Sequence, residues 1–371
     1  MDNKRIVMFK PWVSMRSIAY SNEVLRSGWI GEGPKVAEFE HALCDRFEFP
    51  YALGLNSGTS ALRLALACAG VGPGDEVIST AMTCTATNTP ILEQFAVPVF
   101  ADILFDSGNI NPGDIEHRIT EKTKAILPVH WAGYPCEMKE IREIAGRHGL
   151  PVIEDCAHAL GATRDGYYIG QRSDYACFSF QAIKTLTTGD GGLLVVNNED
   201  IYNEARRRRW FGIDRVNRVR QSNGYSHWDQ SESGYKMHMN DIAAAIGLGN
   251  FLFIDLLMIR RRGICEIYES ELRGVPGVRL FERERSGATS GNWLFSIHVE
   301  NREGFCAMME ANNIEVSVVH IRNDHHTVFG PPRHDLPVLD RFEKSYISLP
   351  LHNHLTGEEV SRVVESIKGG W

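Results

Sequence analysis

Apolar positions along the chain recur at two spacings. Val36, Phe39, Leu43 and Phe47 fall at helical intervals, so the pattern predicts an amphipathic helix there. Tyr51-Ala52-Leu53-Gly54-Leu55 is an apolar run of strand length, and Ala61 to Ala69 is apolar except for Arg63, which suits a helix laid against a sheet. The alternation continues. Val71-Gly72-Pro73-Gly74-Asp75 is a turn, and further strand-length runs occupy 76–79, 97–103, 125–130, 151–154 and 176–180, with a helical segment from Glu137 to His148. Strands alternating with helices imply right-handed crossovers and a mostly parallel sheet covered on both faces.

Asp241 to Glu271 reads as one long helix. Beyond it the texture changes: apolar stretches at 278–281, 293–299 and 315–320 alternate with helical segments, as in a small α+β domain. The expected organisation is an α/β chain with a large domain over residues 1–255 and a smaller C-terminal domain over 256–371.

The 371 residues are 43% hydrophobic and 23% charged, with a formal charge of -8. That mix is ordinary for a globular protein, and its sign argues against nucleic acid or an anionic membrane as partner. The basic run Arg206 to Arg209 reads as a solvated helix end. Ile6 to Phe9 is too short for a signal-peptide core, and no stretch approaches the roughly 20 apolar residues of a membrane span. Eight cysteines are scattered without a CxxC pair. Such usage fits free thiols in a reducing cytoplasm better than disulfides or a zinc cage, and the histidines between 320 and 354 match no metal-binding spacing, so no metal is expected.

Three features fall where strands end, the edge at which open α/β sheets bind ligands. Ser57-Gly58-Thr59-Ser60 puts hydroxyls and a glycine at a helix start, where free amides and the helix dipole favour a phosphate. Asp155 closes a buried strand, where a carboxylate is costly unless a cation or several donors face it. Lys184 follows 29 positions later in the loop Ser179 to Gly192. Read singly, these are a helix cap, a second cap and a solvated loop charge. Together they match pyridoxal phosphate, whose phosphate wants a helix N-terminus, whose ring nitrogen wants a carboxylate and whose aldehyde wants a lysine.

The chain also resembles the DegT/DnrJ/StrS group of sugar aminotransferases, which have the fold type I, aspartate-aminotransferase-like architecture. The resemblance is carried by Gly28-Trp29-Ile30-Gly31, Asn56-Ser57-Gly58-Thr59, Pro73-Gly74-Asp75-Glu76-Val77 and Glu154-Asp155-Cys156-Ala157-His158. It continues through Lys184, Gly189-Asp190-Gly191-Gly192 and Gly234-Tyr235-Lys236-Met237 with Asn240, and ends at Ser348-Leu349-Pro350-Leu351-His352. It implies that Lys184 bonds the cofactor's aldehyde, Asp155 faces the ring nitrogen, His158 lies near the phenolic oxygen, and Gly58, Thr59 and Ser179 hold the phosphate. Asn240 would reach the phosphate in the neighbouring subunit of a homodimer.

One position departs from the family pattern. Where an aromatic residue commonly covers the ring, Cys84 stands in this chain, unless a group a few residues away takes that place. The resemblance further implies transfer of an amino group from L-glutamate to a nucleotide-linked keto sugar, a 4-keto-6-deoxyhexose before a 3-keto sugar, with His320 and Arg322 near the substrate. The rival readings are a regulatory protein that keeps the fold without catalysis and a lysine enzyme without cofactor. The second would not need Ser57-Gly58-Thr59.

Overall fold

The structure is a computed structural model that describes residues 4–214, 219–220, 222, 224–227, 230, 232–282 and 287–371. Seven strands form the central sheet: β1 (Tyr51–Leu55), β2 (Glu76–Thr80), β3 (Val97–Ala101), β4 (Thr123–Ile126), β5 (Ile153–Asp155), β6 (Tyr175–Ser179) and β7 (Gly192–Val196). Hydrogen bonds order them as β3-β2-β4 and β5-β6-β7-β1. Parallel bridges from Ile126 to Val152 and from Val129 to Asp155 join the two groups. Only β7 runs against its neighbours, pairing antiparallel with both β6 and β1. The carboxyl ends of β1, β2, β5 and β6 therefore share one edge.

Side-chain alternation decides what covers each face. Leu193 and Val195 enter one cluster with Phe39, Phe47, Phe178 and Phe180, while Leu194 and Val196 enter another with Leu62, Leu66, Ile153 and Cys177. The first cluster is closed by the helix α2 (Pro34–Phe47), which follows α1 (Met15–Ser27) in the chain, and the second by α3 (Gly58–Cys68). Strands sealed on both sides read as continuous apolar runs, which is why they are visible in the sequence.

The small domain is built on antiparallel strands Val278–Leu280, Phe295–Val299 and Tyr346–Leu349. Its core gathers Tyr268, Ile297, Phe305, Ile347 and Val363. Ile6 belongs to that core as well, and its amide and carbonyl bond Asn313 and Glu315. Ile6 thus packs with the C-terminal domain, while Met8 joins a cluster with Phe100 and Trp131 of the large one.

Three expectations need correction. The long helix is two, Asp241–Phe251 and Ile254–Leu272, bent by 62° at Leu252 and Phe253; Phe253 leaves the helical region, and the second helix turns toward the small domain. Residues 315–320 make only an isolated bridge from Ser317 to Ser348, because the Glu315 amide is taken by Ile6. The basic run is not simply solvated. Arg209 is 6% exposed and bonds Glu32, Glu40 and the Gly54 carbonyl, so the guanidinium ties the Glu32 loop to β1.

Two clasps hold the domains together beside the binding edge. Buried Asp102 accepts the Val338 and Leu339 amides, both at 2.9 Å, and so caps the helix Pro337–Ser345. A cap of this kind contributes about 1 kcal/mol. Asn323 donates to the Thr83 carbonyl at 2.6 Å and accepts from Asn88 at 2.8 Å. Among the described residues no single helix is long and apolar enough to cross a membrane.

Candidate active site

At the carboxyl edge of the sheet, the segments leaving β1, β2, β5 and β6 wall a cavity of about 330 Å³. Trp293 and His320 from the small domain close it. The arrangement brings together Gly58, Thr59, Cys84, Asp155, His158, Ser179, Lys184 and His320, all placed at a single site by the sequence reading.

Asp155 is the most constrained of these. It is 4% exposed, yet its carboxylate is satisfied on both oxygens: the Ala157 amide donates at 3.0 Å and the Thr87 hydroxyl at 2.7 Å. Thr87 Oγ1 lies 2.7 Å from Thr83 Oγ1. Since Thr87 gives its own proton to the carboxylate, Thr83 is the donor in that pair. Burial pushes the Asp155 carboxyl above its ordinary range, while the Ala157 amide, the Thr87 hydroxyl, Lys184 and His130 pull it back.

A second network braces the strand that carries Asp155. The Cys136 amide donates to His130 Nδ1 at 3.0 Å, so Nε2 carries the proton and donates to Glu154 at 3.0 Å. Arg142 meets the other Glu154 oxygen at 2.9 Å. Burial opposes ionisation of Glu154, but His130 and Arg142 outweigh it and hold the carboxyl below its usual range. His130, Glu154 and Cys156 lie within a metal ion's reach of one another. These bonds already occupy the histidine and carboxylate atoms, and Cys156 Sγ contacts the Glu154 carbonyl at 3.5 Å.

Lys184 is presented by a loop that folds back on itself. The Phe180 amide donates to the Gly191 carbonyl and the Thr188 amide to the Phe180 carbonyl, leaving Lys184 at the turn between them. Its Nζ lies 3.8 Å from the centroid of Trp293, within range of a cation–π contact. Burial pulls the amine down to about 8, against the opposing pull of Asp155 and Cys84. Trp293 is itself fixed, donating from Nε1 to the Ile183 carbonyl at 3.1 Å and stacking on His158 at 3.8 Å with 10° between planes. His320 stacks on His158 in turn at 5.6 Å. Burial, reinforced by the charge of Lys184, holds His158 well below the usual imidazole range and pushes His320 down to about 3. Both rings are neutral at physiological pH.

The observations fit pyridoxal phosphate. Ser57 caps α3 by accepting the Ser60 amide at 3.0 Å, and the Gly58 and Thr59 amides, first in the helix, have no intrahelical acceptor. A methyl group on Gly58 would stand 2.9 Å from Ser179 Cβ, and one on Gly192 would stand 2.2 Å from the Ser57 carbonyl oxygen. The close approach of the α3 N-terminus to the end of β6 and to the start of β7 thus depends on two missing side chains. Nδ1 of His158 and of His320 are buried without a hydrogen-bond partner, an arrangement that costs free energy unless a bound group supplies one.

Two predicted residues lie elsewhere. Arg322 is 3% exposed and is held by Asp324 through two bonds of 2.7 Å, with Asp340 and Glu343 beside it. Three carboxylates consume the guanidinium within the small domain, which removes it as a substrate-phosphate ligand. Asn240 is exposed and caps the helix Asp241–Phe251 by accepting the Ala243 amide at 2.9 Å; it is not a wall of this protomer's cavity. Cys84 is a wall, at the N-terminus of helix α4 (Thr85–Glu93). The sequence reading missed Thr87 and Trp293. Thr83 and Thr87 are four apart, a spacing that marks one helical face, but the carboxylate they serve lies 68 positions from Thr87. Trp293 enters from the other domain, and no local signal announces it.

Comparison with known proteins agrees with this geometry. The profile of the DegT/DnrJ/EryC1/StrS aminotransferase family matches residues 13–368. The GDP-perosamine synthase of Vibrio cholerae is 30% identical over 98% of each chain. The sugar aminotransferase CalS13 from Micromonospora echinospora superposes with a TM-score of 0.93 at 35% identity, covering 99% of this chain and 100% of that one. Spr1654 from Streptococcus pneumoniae, solved in its PLP-form, gives 0.92 at 30% identity over 98% of each chain.

The depressed amine has a measurable consequence. If Lys184 is the amine that captures pyridoxal phosphate, capture needs its free form, so in cofactor-stripped protein the rate is expected to rise with pH as the ammonium deprotonates. The expected midpoint is about 8, against about 10.4 for an unperturbed lysine. Stopped-flow absorbance across pH 6 to 10, on the order of one reading per half unit, checks this, and a rate still climbing steeply beyond pH 9.5, roughly the start of ordinary lysine titration, would contradict it.

Proposed function

The chain belongs to the DegT/DnrJ/EryC1/StrS aminotransferase family, and from that premise we propose that it carries an amino group from L-glutamate to C4 of a nucleotide-linked 4-keto-6-deoxyhexose. It is a pyridoxal-phosphate-dependent sugar aminotransferase. The observation that carries the reading is the meeting of Lys184, Asp155 and the α3 N-terminus in one cavity. The similarity to GDP-perosamine synthase supports a nucleotide-linked sugar as acceptor.

Bound here, the cofactor supplies an aldehyde that captures amines and a ring that draws electrons from the carbon next to the captured nitrogen. The protein supplies the rest. Gly58 and Thr59 offer amides, and Thr59 and Ser179 hydroxyls, to the phosphate. Asp155, whose ionised form the Thr87 hydroxyl and the Ala157 amide favour against burial, would keep a proton on the ring nitrogen. His158 would bring a neutral ring nitrogen to the phenolic oxygen, and Cys84 would cover part of one ring face. Lys184 Nζ, with its affinity for protons reduced by burial, would take the proton from the donor's α-carbon and deliver it to the cofactor's aldehyde carbon within the first half-reaction, then carry a proton the opposite way, onto the acceptor's sugar carbon, in the second. A base poised near neutrality serves both directions, because it neither holds nor refuses the proton strongly. Trp293, on which Nζ rests, supplies a surface for the amine while it is detached. His320 stands at the same wall with a free Nδ1, placed for a sugar hydroxyl.

A homodimer completes the site in this reading. Met15, Ile18, Leu25, Trp29 and Ile30 are at least half exposed, as are Leu252, Leu256 and Ile259. Their elements are neighbours, with Trp12 edge-on to Phe253 at 5.5 Å. So large an apolar display is unusual on a monomer's surface. Asn240, exposed and outside its own cavity, is available to a partner's phosphate.

Two experiments test the proposal. Incubating loaded enzyme and L-glutamate with a panel of nucleotide-linked 3-keto and 4-keto sugars should yield an amino sugar by mass from a 4-keto member. Product only from 3-keto members would move the amination to C3, and none from either class would overturn the acceptor. Mixing Lys184→Ala subunits with Asn240→Ala subunits should regain activity, since one site per mixed dimer then holds both native residues. No gain over the Asn240→Ala protein alone would refute a shared site.

A further inference from the structure

Thr87 is the one side chain among the described residues that the structure shows donating a hydrogen bond to Asp155. The other donor, the Ala157 amide, belongs to the backbone. The titratable groups around the carboxylate are Lys184 from the loop after β6, His130 from the segment after β4, and the thiols of Cys136, Cys156 and Cys177. Burial holds all three thiols protonated. His130 has both ring nitrogens engaged, with Cys136 and Glu154. Lys184 is shared with the cofactor's aldehyde once the site is loaded.

We infer that Thr87 is a positioning residue: its hydroxyl, oriented by Thr83, fixes Asp155 as the anionic partner of the cofactor's ring nitrogen. The geometry has direction. Thr83 donates to Thr87, which donates to Asp155 at 2.7 Å, so the carboxylate oxygen receives a hydrogen bond strengthened by the one behind it. The chain is anchored from the other domain, because Asn323 holds the Thr83 carbonyl at 2.6 Å and is held by Asn88 at 2.8 Å. Without the Thr87 proton, one oxygen of a buried carboxylate would lack its donor. Burial already favours the protonated form of that acid, and a protonated acid cannot keep its proton and also receive the one the ring nitrogen must share.

The inference rests on the proposed role of Asp155, and the test separates the two. Equilibrium binding of pyridoxal phosphate is compared with that of its 1-deaza analogue, which has carbon in place of the ring nitrogen, for wild type, Thr87→Val, Thr87→Ser and Thr83→Val. Wild type should prefer the nitrogen-bearing cofactor. Thr87→Val, which keeps the shape and loses the hydroxyl, should lose about 10-fold of that preference, as expected for a bond to a charged acceptor. Thr87→Ser should retain it, and Thr83→Val, which removes only the donor behind, should lose roughly 2- to 3-fold. A wild-type preference in Thr87→Val, or its loss in Thr87→Ser, would assign Thr87 a packing role and overturn the inference. If Thr87→Val does not fold, an unchanged preference in Thr83→Val overturns it instead. No preference in wild type would mean that Asp155 does not serve the ring nitrogen, and both readings would fall.

Discussion

The structure turns on an amine and a carboxylate buried in the same cavity. Both Lys184 and Asp155 are drawn out of bulk solvent, Asp155 almost fully and Lys184 in part, so burial moves each toward its neutral form, and each remains partly available to the other's charge. Left alone, two such groups would be an expensive way to fill a core. The cost is offset by partners brought from separate parts of the chain: the Ala157 amide and the Thr87 hydroxyl donate to Asp155, and the face of Trp293 receives the Lys184 amine. The same burial acts on both groups, and different neighbours oppose it: the Ala157 amide and the Thr87 hydroxyl at Asp155, and the charge of Asp155 at Lys184.

The fold exists in a form that makes this meeting possible. Parallel strands β2, β5 and β6 and the outer strand β1 end together, so the segments that follow them converge without long loops. Gly58 lets α3 approach the end of β6, and Gly192 lets its N-cap lie against the start of β7. The small domain supplies Trp293 and His320 and is fastened by Asp102 and Asn323. Asn323 also grips the segment whose threonines hold Asp155, so interdomain packing and the setting of that carboxylate share a residue.

Much of this was legible in the sequence, and for a physical reason. Strands buried on both faces print as apolar runs, and helix α2 prints its stripe of Val36, Phe39, Leu43 and Phe47. Gly58, Thr59, Asp155, Ser179 and Lys184 each sit at the end of such a run, so locating the strands located the site. What was not legible depends on distance. Trp293 reaches the cavity from another domain. Arg322 looked like a free cation in a polar stretch, but its three carboxylate partners meet it only in the folded chain, two of them 18 and 21 positions on. The break at Leu252 and Phe253 carries no proline and no glycine of its own, so the helical pattern ran through it.

The central claim is that Lys184 is the covalent anchor of the cofactor. Reduction of the loaded protein with borohydride, followed by proteolysis and peptide mass analysis, tests it most directly. The account predicts that the pyridoxyl phosphate mass is found on the peptide containing Lys184 and is absent from the Lys184→Ala protein. The same mass on a different lysine, or none on this peptide in fully loaded protein, would contradict it.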